Sequence, residues 1–225
     1  MKDLKAVIVG ATGLVGKDLV RLLLNSKKYS KVTVIARKRL SVVHPRLEQQ
    51  LITFDDFLEC PGEWFQDADV FCALGTTMKK AKTKEKFKQV DYQYVIELGK
   101  LAVKYEARKL VVISAMGANE DSIFYYNKIK GMTERTLQEL MLPQLVIIRP
   151  SLIIGDRNEF RFGEALAAKL SGWLSFVFKG KMRKYKPNQA KDIAQAMLKL
   201  ALLCTEQVRI VTADEITSWS KRKVY

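Results

Sequence analysis

The sequence predicts an α/β fold built on a doubly wound parallel sheet, with a small helical elaboration at the C-terminal end. Three observations carry this. Short apolar, mostly β-branched runs recur and alternate with segments of helical periodicity. The first of these runs passes through a glycine turn straight into a helix. A long amphipathic stretch, residues 87–105, then stands where a crossover between parallel strands is required.

The first strand spans residues 5–9, a run suited to burial on both faces, and the turn Gly10-Ala-Thr12-Gly13-Leu14-Val15-Gly16 follows it. Glycines at this spacing let backbone pass close to something bulky. The helix N-terminus behind them offers unpaired N–H groups and partial positive charge, which suits a pyrophosphate. A second strand, residues 31–36, ends at Arg37 and Lys38. In dinucleotide-binding units this strand end faces the adenosine ribose, where a carboxylate would accept from a 2′-hydroxyl. A guanidinium there pairs instead with a 2′-phosphate, so NADP(H) is favoured and NAD(H) ranks second. The competing reading is an ordinary basic loop.

A short third strand is expected over residues 50–54, with Asp55 and Asp56 after it as acceptors for an adenine amino group or as a cap for the next turn. The fourth, residues 69–74, ends in Leu74-Gly75-Thr76-Thr77, where glycine admits the cofactor and the threonines offer donors to phosphate. Residues 79–88 form a charge run read as a solvated loop leading into the crossover helix. Residues 109–113 are the fifth strand, 124–142 a helix, and 145–148 the sixth strand, closed by Arg149-Pro150 because proline removes a ladder donor. Helices are expected at 160–170, 190–203 and 212–219. The whole chain, 1–225, reads as one dinucleotide-binding domain in which residues 151–225 contribute the substrate-side cap.

Ser114 directly follows the fifth strand, and Tyr126 and Lys130 lie four apart on the helix behind it, sharing one face. A lysine cation there stabilises phenolate and makes the tyrosine a workable proton donor near neutral pH, while the serine hydroxyl reaches the same substrate oxygen. The alternative is a packed aromatic beside a surface lysine. Tyr105 and Lys109 share the spacing but straddle a helix end and a strand start, so they do not share a face.

On these residues the chain resembles the atypical short-chain dehydrogenase/reductases, and among them the Tat-interacting-protein-like oxidoreductases. The resemblance runs from the glycine turn through Ala73–Thr77, Val90-Asp91, Ser114–Ala118, Tyr126–Gly131 and Arg149-Pro150 to Asp192-Ile-Ala194. It implies a Rossmann fold binding NADP(H), with Tyr126 as acid/base, Lys130 on the nicotinamide ribose, Ser114 orienting a small carbonyl or alcohol substrate, and Arg149-Pro150-Ser151 beside the nicotinamide. Asp91 stands where many relatives carry asparagine, and Ala115 where many carry a second serine. A non-catalytic NADP(H)-binding regulator is therefore the competing function.

The formal net charge of +15 attracts phosphate-bearing ligands, but the basic residues are interleaved with acidic ones, and nucleic-acid binding is the minor reading. Three scattered cysteines fit no metal or redox spacing, and no apolar run is long enough to span a bilayer, so a soluble cytoplasmic protein is expected. His44, before Pro45, reads as a surface residue. The aromatic segment 173–178 is assigned to packing or a cleft lid ahead of an interfacial membrane contact. Oligomeric state is open, with a homodimer as the candidate assembly.

Overall fold

The computed structural model describes residues 3–53, 56–155 and 186–223. Seven strands form one parallel sheet: β1 (Leu4–Val9), β2 (Tyr29–Ala36), β3 (Leu47–Leu51), β4 (Ala68–Cys72), β5 (Lys109–Ile113), β6 (Leu145–Arg149) and, last in the chain, β9 (Val208–Thr212). Their order is β3-β2-β1-β4-β5-β6-β9. The chain leaves β1 in one direction across the sheet and returns through β4 in the other. A cleft therefore opens beyond the carboxyl ends of β1 and β4, the switch point of this Rossmann topology. A two-stranded pair, β7 (Ile153–Ile154) and β8 (Asn188–Gln189), lies outside the main sheet.

Both faces are covered, which is why the central strands are almost wholly apolar. One face packs on helices α1 (Leu14–Asn25), α6 (Ala190–Leu203) and α7 (Ala213–Ser220), joined in a single apolar cluster with Ala6, Ile8, Val32 and Val146. The other packs on α4 (Tyr94–Lys104) and α5 (Tyr125–Glu139), with Val7, Val70, Leu98, Leu101 and Leu137 in contact. Two short helices, α2 (Met78–Ala81) and α3 (Lys84–Lys88), precede α4. Thr77 and Thr83 cap them, each side chain accepting from the backbone N–H three residues on.

Three expectations shift. The third strand lies at Leu47–Leu51, three residues earlier than expected. It is an edge strand of polar, half-exposed residues, so pairing of Leu47 with Val32, not hydrophobic pattern, sets its place. The crossover helix is interrupted by a π-bulge over Gln89–Gln93. The strand β9 was not anticipated. Asp55 and the expected helix at 160–170, with the aromatic segment 173–178, lie outside the described residues.

At the end of the sheet away from the cleft, Lys109 is buried and donates to the carbonyl oxygens of Leu200 (3.2 Å), Ala201 (3.0 Å) and Cys204 (2.6 Å), closing the C-terminus of α6. Beside it Tyr29 donates to Asp69 at 2.6 Å, and Arg108 pairs with the same carboxylate. Burial, the largest influence, holds the Asp69 carboxyl above its usual range despite Arg108 and Tyr29. Lys109→Met would strand the helix carbonyls in an apolar surround. We expect a loss of about 2 kcal/mol, read as a lower urea midpoint with unchanged slope.

Candidate functional site

The turn that joins β1 to α1 is built against the end of β4. Gly10 has a φ of +86°, and a Cβ on it would sit 2.5 Å from the carbonyl carbon and oxygen of Ala73. A Cβ on Gly16 would lie 2.2 Å from the Gly10 carbonyl oxygen, so glycine there lets α1 rest on the turn. Gly13 caps the helix, its N–H donating to the Gly10 carbonyl at 3.0 Å and its own carbonyl accepting from Lys17 at 3.0 Å. No acidic side chain occupies the first turn of α1, so the positive end of the helix is left for an anion.

Two adjoining cavities lie along this edge. One is lined by the turn from Gly10 to Gly13, by Arg37 and Lys38, by Leu74, Gly75 and Thr76, and by Lys80 of α2. The other is lined by Gly13, Leu14, Val15, Thr76, Thr77, Ser114, Tyr126, Lys130, Pro150 and Ser151. They share Gly13, Ala73, Leu74, Gly75 and Thr76, so one cleft runs from the Arg37 end to the Tyr126 end. Gly16 stands behind this cleft, through its contact with Gly10. Lys80 joins the lining although the sequence placed it in a solvated run.

At the Tyr126 end, two ion pairs support the lining, one buried and one part-buried. The first is Lys130 with Asp91, Nζ to Oδ1 2.7 Å, with both side chains at 5% exposure or less. The other oxygen of Asp91 accepts from the Thr76 backbone N–H at 2.8 Å, tying the end of β4 to α5. Asp91 lies in the π-bulge, which turns it inward, and Thr133 closes the bulge by donating to the Asp91 carbonyl at 2.9 Å. Burial alone would depress the Lys130 ammonium. The Asp91 carboxylate, then the Tyr126 phenol, outweigh burial and hold it above its ordinary 10.5. A raised folded-state value means stability that is complete below about pH 10.5 and lost as pH rises through the raised value. The urea stability of the wild-type protein should therefore exceed that of Asp91→Asn by a constant margin from neutral pH to about pH 10, and the margin should shrink beyond it.

The second pair is Glu134 with Arg149. The guanidinium Nε donates to both carboxylate oxygens at 3.0 Å, and Nη2 reaches one of them as well. Ser114 donates its hydroxyl proton to Oε1 of the same carboxylate. A carboxylate only accepts, so the Ser114 oxygen presents lone pairs to the cleft. Arg149, expected beside the nicotinamide, instead has its guanidinium on Glu134 and does not line the cleft, whereas Pro150 and Ser151 do. Ser151 is held by Asn188, whose side-chain oxygen accepts from its N–H at 3.0 Å and whose amide donates to the Ala213 carbonyl at 2.8 Å.

The ring of Tyr126 packs on buried Phe87, centroids 5.5 Å apart, so the tyrosine is both a packed aromatic and a cleft residue. Sequence reasoning missed Glu134. The signal was present, because Glu134 follows Lys130 by four and Tyr126 by eight, on one face of α5. The thiol of Cys72, behind Lys130, is pushed up to about 11 by burial and takes no part in the lining.

Comparison with known proteins agrees with this architecture. The HIM1 family matches residues 66–181, and the description "Semialdehyde dehydrogenase, NAD binding domain" matches residues 5–100. Protein HTATIP2 of Rattus norvegicus is 35% identical over 178 residues, covering 77% of this chain and 73% of that protein. The mitochondrial protein FMP52 of Eremothecium gossypii is 30% identical, covering 98% of this chain and 99% of that protein. Among solved structures, the UDP-glucuronic acid 4-epimerase of Bacillus cereus in complex with NAD superposes with a TM-score of 0.68 at 15% identity. It covers 94% of this chain and 78% of that one. The resemblance to the Tat-interacting-protein-like, atypical short-chain dehydrogenase/reductases is borne out. The cytoplasmic expectation is not, because fungal relatives are named as mitochondrial proteins. Cys60, Cys72 and Cys204 are separate, buried free thiols.

Proposed function

The chain belongs to the HIM1 family, and on that premise we propose that it is an NADP(H)-dependent oxidoreductase acting on a small carbonyl or alcohol. One observation carries the reading: a single cleft joins a glycine-lined helix N-terminus and two cations at one end to Ser114, Tyr126 and Lys130 at the other. The residues present fit a dinucleotide. Gly10 lets the turn lie flat against the end of β4, where any Cβ would strike the Ala73 backbone, and the helix N-terminus behind it has no acidic side chain in its first turn. Arg37 and Lys38 would hold a 2′-phosphate, Gly10 to Val15 the pyrophosphate, and Leu74 to Thr77 the ribose between them.

A nicotinamide held in this cleft would supply the hydride for a carbonyl carbon, or accept one from an alcohol carbon. Tyr126 Oη then gives its proton to the alkoxide oxygen that forms. Lys130, fixed by Asp91, directs its ammonium toward the ribose and the phenol. Ser114, its own proton on Glu134, accepts a hydrogen bond from the substrate hydroxyl. Pro150 and Ser151 would wall the nicotinamide side.

A second reading, a regulator that binds NADP(H) without turnover, draws on the Asp91 carboxylate, which holds the Lys130 ammonium in a buried ion pair. A panel of aldehydes and ketones, followed at the nicotinamide absorbance, separates the two. Oxidation of NADPH by any of them supports the oxidoreductase. Saturable NADPH binding with no turnover across the panel supports the regulator.

A further inference from the structure

We propose that the face formed by α2, α3 and the loop leading into α5 docks on an anionic lipid surface. Ile123 is 91% exposed and Phe124 67%, consecutive residues immediately before the first turn of the helix that carries Tyr126. They are not loose. Asn119 N–H donates to the Asn127 carbonyl at 3.1 Å, Ser122 N–H to the Asn119 carbonyl at 3.1 Å, and Phe124 N–H to the Ser122 hydroxyl at 3.2 Å. The backbone of Asn119 and Glu120 also lies so close to Gly131 that a Cβ there would be 2.2 Å from it. The chain thus spends hydrogen bonds on holding an isoleucine and a phenylalanine out in water, where collapse onto the surface would cost less.

The basic helices adjoin this tip. The Tyr125 hydroxyl donates to the Lys84 carbonyl at 3.0 Å, and the Lys84 ammonium lies 5.3 Å from the Tyr125 ring centroid. Phe87 packs under Tyr125 from the same helix. Lys79, Lys82, Lys84, Lys86 and Lys88 are all exposed, and Lys128 extends the set onto α5. Glu85, Glu120 and Asp121 are the acids among them, and Glu120 is paired with Arg135 at 2.7 Å, so the face is strongly positive. Ammonium groups around an apolar tip match lipid phosphates around an acyl boundary, with a tyrosine between them at headgroup level. Nucleic acid would use the lysines and leave Ile123 and Phe124 without a role. No helix among the described residues is long and apolar enough to cross a membrane, so the contact proposed is peripheral.

The test is co-sedimentation of the full chain with vesicles of phosphatidylcholine alone or with about 30% phosphatidylserine. We expect at least about tenfold tighter association with the anionic vesicles, weakening as salt is raised. The paired substitution Ile123→Asp with Phe124→Asp, and separately Lys82→Glu with Lys86→Glu, should each reduce it about tenfold, with circular dichroism unchanged. As a second readout, Phe124→Trp should give a blue-shifted emission only with anionic vesicles. Equal binding to both vesicle types overturns the proposal. So does a Phe124→Trp emission that does not move. Salt-sensitive binding to an RNA homopolymer that survives Ile123→Asp with Phe124→Asp, without vesicle binding, points to nucleic acid. A doubled mass in sedimentation that the same pair abolishes points to a second copy of the chain.

Discussion

Tyr126→Phe should lower turnover of any carbonyl substrate about a thousandfold while leaving NADPH affinity within a few-fold of wild type. The substitution removes one oxygen. The ring itself is held by Phe87 at 5.5 Å, so the packing survives and the fold should not change. Lys130 keeps its partner, because its ion pair is with Asp91 and not with the phenol. The loss is then confined to the proton that meets the alkoxide, and it should appear in kcat with little effect on KM. Turnover that survives intact in Tyr126→Phe would place the proton donor elsewhere.

Glu134→Leu should destabilise the protein by about 2 kcal/mol, because it leaves the part-buried Arg149 guanidinium and the buried Ser114 hydroxyl without their carboxylate partner. Removing both partners is a different matter. Glu134→Leu combined with Arg149→Met replaces a desolvated pair by apolar groups and should recover most of the loss, which makes the coupling measurable by a double-mutant cycle. Glu134→Gln keeps an acceptor for Ser114 and should cost less than Glu134→Leu. The cycle is read in urea unfolding. Additive losses would show that Glu134 and Arg149 act independently, against the bidentate geometry.

Most of the sheet was legible because its strands are buried on both faces and therefore written in unbroken apolar runs, as in Lys109–Ile113 and Leu145–Arg149. Helix α6 was legible to the residue for the same reason, with alanine and leucine recurring on its buried side. Where one face is exposed, the pattern thins. Leu47–Leu51 carries Glu48, Gln49 and Gln50, and its position follows from pairing with β2, which the local sequence does not encode. Val208–Thr212 alternates at the opposite edge, with Arg209 taken up by Glu215, and reads as a strand only once β6 is beside it.

The site divides along the same line. The glycine turn, Arg37, Ser114, Tyr126 and Lys130 are local motifs, and all come to one cleft. The partners that fix them are distant in sequence. Asp91 reaches Lys130 across 39 residues because a π-bulge turns it inward, and Glu134 meets Arg149 and Ser114 from the opposite side of the helix–sheet interface. Glu134 carries a spacing signal on the face of α5 that bears Tyr126 and Lys130, whereas Asp91, reached through the π-bulge, carries none. Arg149 shows the cost of reading the motif alone, since its guanidinium is spent on Glu134 while its neighbours Pro150 and Ser151 line the cleft.

The central claim is that this cleft holds NADP(H), with the 2′-phosphate at Arg37 and Lys38. Titration of the protein with NADPH and with NADH, in wild type and Arg37→Ala, tests it most directly. Saturable binding is expected, with NADPH at least about tenfold tighter than NADH and that preference falling to near unity in Arg37→Ala. Tighter binding of NADH, or a preference for NADPH that survives undiminished in Arg37→Ala, would contradict it.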